Sequence, residues 1–321
     1  MVPGASMANV LFIKTSSLGD VIHHMPAVAE ARRRQAGAHF TWVVEEAFAS
    51  LVRLHPAVDE VIPVALRRWR RAAFAPRTGR ELAAFIAGLR HREYDDIIDT
   101  QGLFFKSALI ARLARGRRHG YDARSIREPA ASLLYDVRHG VARNLHAIAR
   151  NRTLTGLALG YEPEGAIEFG LDRKRLAHHN GPYGILLHAT ARQEKEWPQA
   201  AWMALARSLA AKRGALMLPW GTPAEQLRSE QIAMAAPGAT VPGRQPLDGL
   251  ARAIAGASFV VGVDTGLLHL AAALAVPLVG IFVGSDPALT GPQGGGPIAV
   301  VGGKGDIPTV PEVVAALDRL L

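Results

Sequence analysis

Cysteine is missing altogether from the 321 residues, so disulfides and thiolate chemistry are excluded and a reducing, cytoplasmic compartment is the expectation. Long apolar runs are missing too: none reaches the roughly 20 residues that a membrane-spanning helix requires. Residues 1–6 carry neither the basic nor the apolar segment of a secretory leader, and Met7, directly before the first strand-like run, reads as the natural start. Neither a Gly-x-x-x-x-Gly-Lys loop nor a Gly-x-Gly-x-x-Gly fingerprint occurs, which argues against P-loop and nicotinamide-dependent chemistry. No His/Cys/Asp/Glu cluster has metal-ligand spacing, and no Asp-x-Asp pair stands ready to hold a divalent ion on a diphosphate. A metal cofactor is therefore not expected.

What is present describes a well-filled globular protein. Hydrophobic residues make up 49% and charged residues 20%, and the length suits two domains of ordinary size. The net charge of +9 is unevenly placed. Residues 1–178 hold 27 Lys+Arg against 18 Asp+Glu, whereas residues 179–321 hold 10 of each. The first half should face an anionic partner: nucleic acid, an acidic membrane surface or a phosphorylated acceptor. The densest basic run is Arg67-Arg68-Trp69-Arg70-Arg71, followed by Arg115, Arg117, Arg118, Arg124 and Arg127. A merely solvated basic face is the plain alternative. No aromatic-basic interleaving or helix-turn-helix pattern supports nucleic-acid binding, which stays as the rival reading from another class.

Strand-like and helix-like runs alternate along the chain. Strands are expected at 10–13, 40–44, 61–64 and around 97–98, with helices over 21–34 (bent or restarted at Pro26), 79–92 and 103–113. A second round has strands at 183–188, 215–219, 259–263 and 278–283, and helices at 198–211, 225–235 and 247–255. This rhythm predicts α/β architecture with parallel sheets covered on both faces. Two Rossmann-like domains facing each other across a cleft are expected, residues 1–178 and 179–310, joined by a polar linker near residues 173–182. The final helix, 311–321, is expected to cross back onto the first domain.

Four strand ends carry the candidate chemistry. The most informative is Val263-Asp264-Thr265-Gly266, where an apolar strand gives way to an Ala/Leu-rich helix. A helix start at a strand's carboxyl end offers free N–H groups and a positive dipole end to a phosphate. There Gly266 admits close approach, Asp264 can accept from sugar hydroxyls, and His269 follows one turn later; a buried turn with Asp264 capping the helix is the plainer reading. At the first strand's end, Ser16-Ser17-Leu18-Gly19-Asp20 presents one carboxylate, either a helix cap or a general base for an acceptor hydroxyl. Thr190 and Lys195 offer a hydroxyl and a mobile cation to a phosphate. Trp220 fits a base pocket or a core, and Glu225 a ribose or a helix first turn. Jointly these compose a nucleotide-sugar site.

With those residues in view, the chain resembles glycosyltransferase family 9, the lipopolysaccharide heptosyltransferases. The landmarks run nearly end to end: Lys14-Thr15-Ser16-Ser17-Leu18-Gly19-Asp20-Val21, Trp42-Val43-Val44-Glu45-Glu46, Ile62 to Arg70, Asp99-Thr100-Gln101-Gly102-Leu103, Arg127-Glu128-Pro129, Lys195-Glu196-Trp197-Pro198, Leu218-Pro219-Trp220-Gly221 and Asp264-Thr265-Gly266-Leu267-Leu268-His269. The resemblance implies a GT-B fold with the donor in the C-terminal domain. It implies metal-independent, inverting transfer of L-glycero-D-manno-heptose from ADP-heptose, a co-substrate, to Kdo of the lipid A inner core. A peripheral place on the cytoplasmic face of the inner membrane would follow. By resemblance Asp20 is the base and Lys195 contacts the donor phosphate. Thr190, Trp220, Glu225, Asp264, Thr265, Gly266 and His269 fall on the donor side. Ser16, Ser17, Gly19, Gln101, Arg67, Arg68, Arg70, Arg71 and Arg127 fall on the acceptor side. The arginine-rich segment favours the branch acting first on the core; action on an already heptosylated acceptor is the alternative. The chain departs from the family pattern at Ala189-Thr190-Ala191, with one hydroxyl where two are expected, and around Gln245.

Overall fold

A computed structural model describes residues 7–177 and 182–321. Residues 1–6, read above as lacking the features of a leader, and part of the expected linker lie outside the described residues. The chain divides into two compact units, Met1–Gly170 and Leu171–Leu321.

The first unit is a six-stranded parallel sheet of β1 (Asn9–Ile13), β2 (His39–Glu45), β3 (Glu60–Val64), β4 (Tyr94–Asp99), β5 (Gly116–Tyr121) and β6 (Val137–His139), in the order 3-2-1-4-5-6. The second repeats this plan with β7 (Gly184–Leu187), β8 (Leu216–Met217), β9 (Ala239–Thr240), β10 (Phe259–Val263), β11 (Leu278–Phe282) and β12 (Ile298–Gly302), ordered 12-11-10-7-8-9. Both are doubly wound. In such sheets ligands sit outside the carboxyl ends of strands, where the winding direction reverses. That switch lies between β1 and β4 in one unit and between β7 and β10 in the other.

Burial explains which strands the sequence revealed. β1, β7, β10 and β11 are almost wholly buried apolar runs. By contrast β5 reads Gly-Arg-Arg-His-Gly-Tyr, and only its last three residues are buried, so its charges mask it. β6 and β9 are edge strands of three and two residues, too short for a periodic signal. The first helix, Leu18–Arg34, runs unbroken through the buried Pro26 rather than restarting there. The expected helix over 103–113 begins as a π-turn, Phe104–Ala108, before Leu109–Leu113 continues as α-helix.

Two boundaries differ from the sequence expectation. The second unit begins at Leu171, because Arg173 donates to the carbonyls of Ala255, Ala257 and Ala275 and ties the presumed linker into that unit. The final helix, Val310–Asp318, places Val313, Ala316 and Leu317 in the second unit's own core with Trp202, Leu205 and Val279.

In the first unit, helix Leu18–Arg34 packs against helix Ala147–Leu159. Glu30, 1% exposed, accepts from Arg152 at 2.8 Å and from the Glu164 N–H at 2.8 Å. Burial alone would raise its carboxyl, but those two donors outweigh it and hold Glu30 below its ordinary value. The pair therefore adds stability above the unfolded value of 4.5, lost as pH falls below it. Arg152→Ala is expected to cost about 3 kcal/mol at pH 7, because a buried carboxylate loses its cation. In urea unfolding the gap to wild type should narrow as Glu30 protonates; an equal gap at pH 7 and at low pH would refute the assignment.

Candidate active site

The loop after β1 sits at the switch point of the first sheet and is held from both neighbouring strands. From β2, Trp42 Nε1 donates to the Lys14 carbonyl at 3.2 Å and the Glu45 N–H to the Thr15 carbonyl at 3.1 Å. From beyond β4, Gln101 Oε1 accepts from the N–H groups of Thr15 and Ser16, both at 3.2 Å. Gln101 thus braces this loop, rather than offering that oxygen to an acceptor. Its own turn is built by Asp99 Oδ1, which accepts from Gln101 and Gly102 N–H, with Gly102 at φ +67° where only glycine is unstrained.

Asp20 is not the helix cap. Ser17 takes that position, and Asp20 stands three residues on, its Oδ2 accepting from the Ser17 N–H at 2.7 Å and the Ser17 Oγ at 2.9 Å. The cap uses Oδ2, so the cap and base readings are compatible. Ser17 is spent on this cap, and Gly19 lies within the helix's first turn. Beneath the loop, Lys14 is buried and donates to the Thr100 carbonyl at 2.9 Å. Burial pulls its ammonium down, opposed by the charges of Asp20 and Asp99. Arg150 shares this field, donating to the Ser125 carbonyl at 2.6 Å and stacking over Tyr121 at 4.7 Å. Sequence reading passed over Lys14 and Arg150. A lysine ending an apolar strand was a usable signal for the first; the second sits in an ordinary helix and gave none.

A cavity of about 680 Å³ opens beside Ser16. Arg67, Arg70, Arg71 and Arg127 line it with Lys106, against apolar walls that include Trp69 and Phe105. Two carboxylates share the lining, Glu45 and Glu128, and the Arg67 N–H donates to Glu45 Oε1 at 3.1 Å. Arg68 differs: its guanidinium is held by Glu46 at 2.9 Å and Glu81 at 2.6 Å, away from the lining. Glu81 is pulled down to about 2 by hydrogen bonds from Trp69, Arg77 and Arg68. Arg68 therefore shapes helix Leu66–Arg71 and does not face the cavity. The lining brings together Ser16, Arg67, Arg70, Arg71 and Arg127 of the expected acceptor residues; Ser17, Gly19, Gln101 and Arg68 are not part of it.

In the second unit Asp264 is the hub. It is 8% exposed, and its Oδ2 accepts from Lys195 Nζ at 2.5 Å and Ser285 Oγ at 2.6 Å, with the His269 ring 3.8 Å from Oδ1. Burial would raise this carboxyl, yet His269, Lys195 and Ser285 together hold it far below the usual carboxylate range. Asp264 is thus turned towards Lys195, Ser285 and His269. It is not the cap of the next helix, Gly266–Ala273, whose N-cap is Thr265. In that first turn the Leu268 N–H donates to the Thr265 carbonyl at 3.1 Å, while the N–H groups of Gly266 and Leu267 precede the helical ladder and suit an anion. Thr190 Oγ1 donates to the Asp264 carbonyl at 3.0 Å, locking the loop after β7 to the end of β10.

The remaining donor candidates lie beyond β8. Trp220 is half-buried and donates from Nε1 to the Pro242 carbonyl at 2.8 Å. Glu225 repeats the role of Asp20: in a capping box with Thr222, its Oε2 accepts from Gly221 and Thr222 N–H at 2.8 and 3.1 Å. Ser285 was missed by sequence reading, since nothing local marks a Gly-Ser pair after β11 as a partner of a residue 21 positions earlier.

The model of glycosyltransferase family 9 (heptosyltransferase) matches residues 82–311. The chain is 43% identical over 289 residues to lipopolysaccharide heptosyltransferase 1 of Escherichia coli (strain K12), covering 89% of this chain and 91% of that protein. The structure of E. coli heptosyltransferase WaaC with ADP is similar at a TM-score of 0.91 and 40% identity, covering 98% of this chain and 100% of that one. WaaC with ADP-2-deoxy-2-fluoro heptose is similar at a TM-score of 0.88 and 39% identity, covering 97% and 99%.

Proposed function

The chain belongs to glycosyltransferase family 9, the heptosyltransferases, and from that premise we propose that it transfers L-glycero-D-manno-heptose from ADP-heptose to Kdo of the lipid A inner core, inverting the anomeric centre without a metal. The observation that carries the acceptor half is the arginine-walled cavity sharing Ser16 with the loop that leads into the helix bearing Asp20. Its cations suit phosphate and carboxylate groups, and its apolar walls suit a lipid-borne acceptor.

Asp20 removes the proton from the attacking Kdo hydroxyl as the new bond forms at the anomeric carbon. The bond to ADP breaks on the opposite face, its electron pair leaving with the diphosphate, so one displacement inverts the centre. Positive charge develops on the sugar ring, as in glycoside cleavage. Lys195 and the N–H groups at Thr265-Gly266 meet the charge on the departing ADP.

Mixing the protein with ADP-heptose and Kdo-bearing lipid A tests this directly. Acceptor-dependent ADP release is expected; ADP binding without release would point to another acceptor or donor sugar, and the absence of both ADP binding and ADP release would overturn the donor assignment. Turnover should be unchanged in EDTA, because fixed cations supply the charge compensation. Loss of activity restored by a divalent cation would refute that part.

No helix among the described residues is long and apolar enough to cross a membrane. A peripheral place on an anionic membrane surface is supported by Phe74, fully exposed three residues after Arg71, and by Phe105, 77% exposed at the cavity. Phe74→Ser is expected to weaken co-sedimentation with anionic vesicles severalfold while leaving transfer to a soluble, deacylated acceptor intact. Equal sedimentation of the two proteins would count against the surface.

A further inference from the structure

The order of the second sheet places β10 between β7 and β11, so Asp264 at its end is reached from both sides. From the β7 side comes Lys195, and from the β11 side comes Ser285, and both donate to the same oxygen, Oδ2. The two turns are built against each other. A Cβ at Gly284 would lie 2.3 Å from the Glu194 carbonyl oxygen, so only glycine permits this approach of the Ser285 turn to the Lys195 turn. Neither contact is needed to cap the following helix, which Thr265 starts.

A carboxylate as buried as Asp264 needs hydrogen-bond donors in every state of the site. On the reading above, Lys195 serves the donor diphosphate, and a lysine that turns to a diphosphate loosens its hold on Asp264. We propose that Ser285 is the positioning residue for this exchange: its hydroxyl stays on Asp264 Oδ2 and keeps that carboxylate satisfied while Lys195 engages a nucleoside diphosphate. Without the hydroxyl, Asp264 holds Lys195 more tightly and the diphosphate competes less well for it. The inference rests on the assignment of this unit to ADP-heptose. Ser285 acts on donor affinity rather than on the reaction itself, because a saturating donor has already drawn Lys195 away.

ADP titration by calorimetry, with steady-state kinetics on ADP-heptose, tests this in the full chain. Ser285→Ala should raise both the ADP Kd and the KM for ADP-heptose about tenfold, as expected for losing one hydrogen bond to a charged group. The kcat and the acceptor KM should stay within about twofold, a split that a general loosening of the fold would not produce. Ser285→Thr, which keeps the hydroxyl, should restore donor affinity. In an Asp264→Asn background, Ser285→Ala should add nothing further, since the two act through one contact. Should the alanine variant fail to fold, Ser285→Cys keeps the volume with a weak donor and should show the same loss. Wild-type ADP affinity in the alanine or cysteine variant, or a fall in kcat at unchanged KM, overturns the proposal. Failure of the wild-type chain itself to bind ADP would instead overturn the ADP-heptose assignment.

Discussion

Asp20→Asn should lower heptosyl transfer by a factor of about 10² to 10⁴ while leaving ADP binding at its wild-type value. Asparagine is the informative replacement because Asp20 does two jobs. Its Oδ2 accepts from the Ser17 N–H and hydroxyl at 2.7 and 2.9 Å, and an asparagine amide oxygen can keep both contacts. What asparagine cannot do is take a proton from an attacking hydroxyl. Alanine would remove the base and the capping-box partner of Ser17 together, adding a cost of about 1 kcal/mol to the helix start, so it blurs the two roles. The expected pattern is therefore a folded Asp20→Asn protein with wild-type thermal midpoint, unchanged ADP affinity and little turnover. Near-normal turnover in that variant would reduce Asp20 to a capping residue. The buried Lys14 belongs to the same region, its ammonium lying in the field of Asp20 and Asp99 beneath the loop.

Lys195→Ala should show the second large effect, a loss of about 10² to 10³ in transfer, the range seen when one donor to developing negative charge is removed. Lys195→Arg should rescue it only partly, because the planar guanidinium cannot stand in for a compact ammonium in a turn packed against Gly284. The same variant makes a stability prediction with a definite sign. The Asp264 carboxyl is held well below its unfolded value of 3.8, so the contacts around it contribute stability above that value, lost as pH falls through the depressed folded one. Removing Lys195 takes away one of the groups that depress it. Lys195→Ala should be less stable than wild type at neutral pH, and the difference should shrink towards pH 3. A stability difference that does not change with pH would show that Lys195 is not what stabilises the Asp264 carboxylate.

Much of this site was legible in the sequence because its parts sit at strand ends. An apolar run that stops at Ile13 or Val263 and is followed at once by a helix marks a turn at the carboxyl edge of a parallel sheet, and Asp20, Thr190, Lys195 and Asp264 all stand in or beside such turns. The arginine run at 67–71 was equally plain, but its sequence could not divide the labour among its members. Arg67, Arg70 and Arg71 line the cavity, whereas Arg68 is claimed by Glu46 and Glu81, residues 22 and 13 positions away. Helical phase alone does not foresee which carboxylates will arrive. Strands β5 and β6 were hidden for a different reason: a half-buried charged strand and a three-residue edge strand carry no periodic apolar signal.

Local sequence by itself determined the α/β class, the repeated parallel plan, the basic character of the first half and the turns that hold the chemistry. These follow from chain-local causes: apolar runs of strand length, helix-starting residues after them, and the placement of charge. The tertiary structure alone decided which partners those turns meet. Only the order of strands in the sheet brings Ser285 and Lys195 to one oxygen of Asp264, gives Gln101 to the loop of Asp20, and sends the last helix into its own unit's core. Such contacts join residues tens of positions apart, and a hydrogen bond of that kind leaves no trace in the spacing of either residue's neighbours.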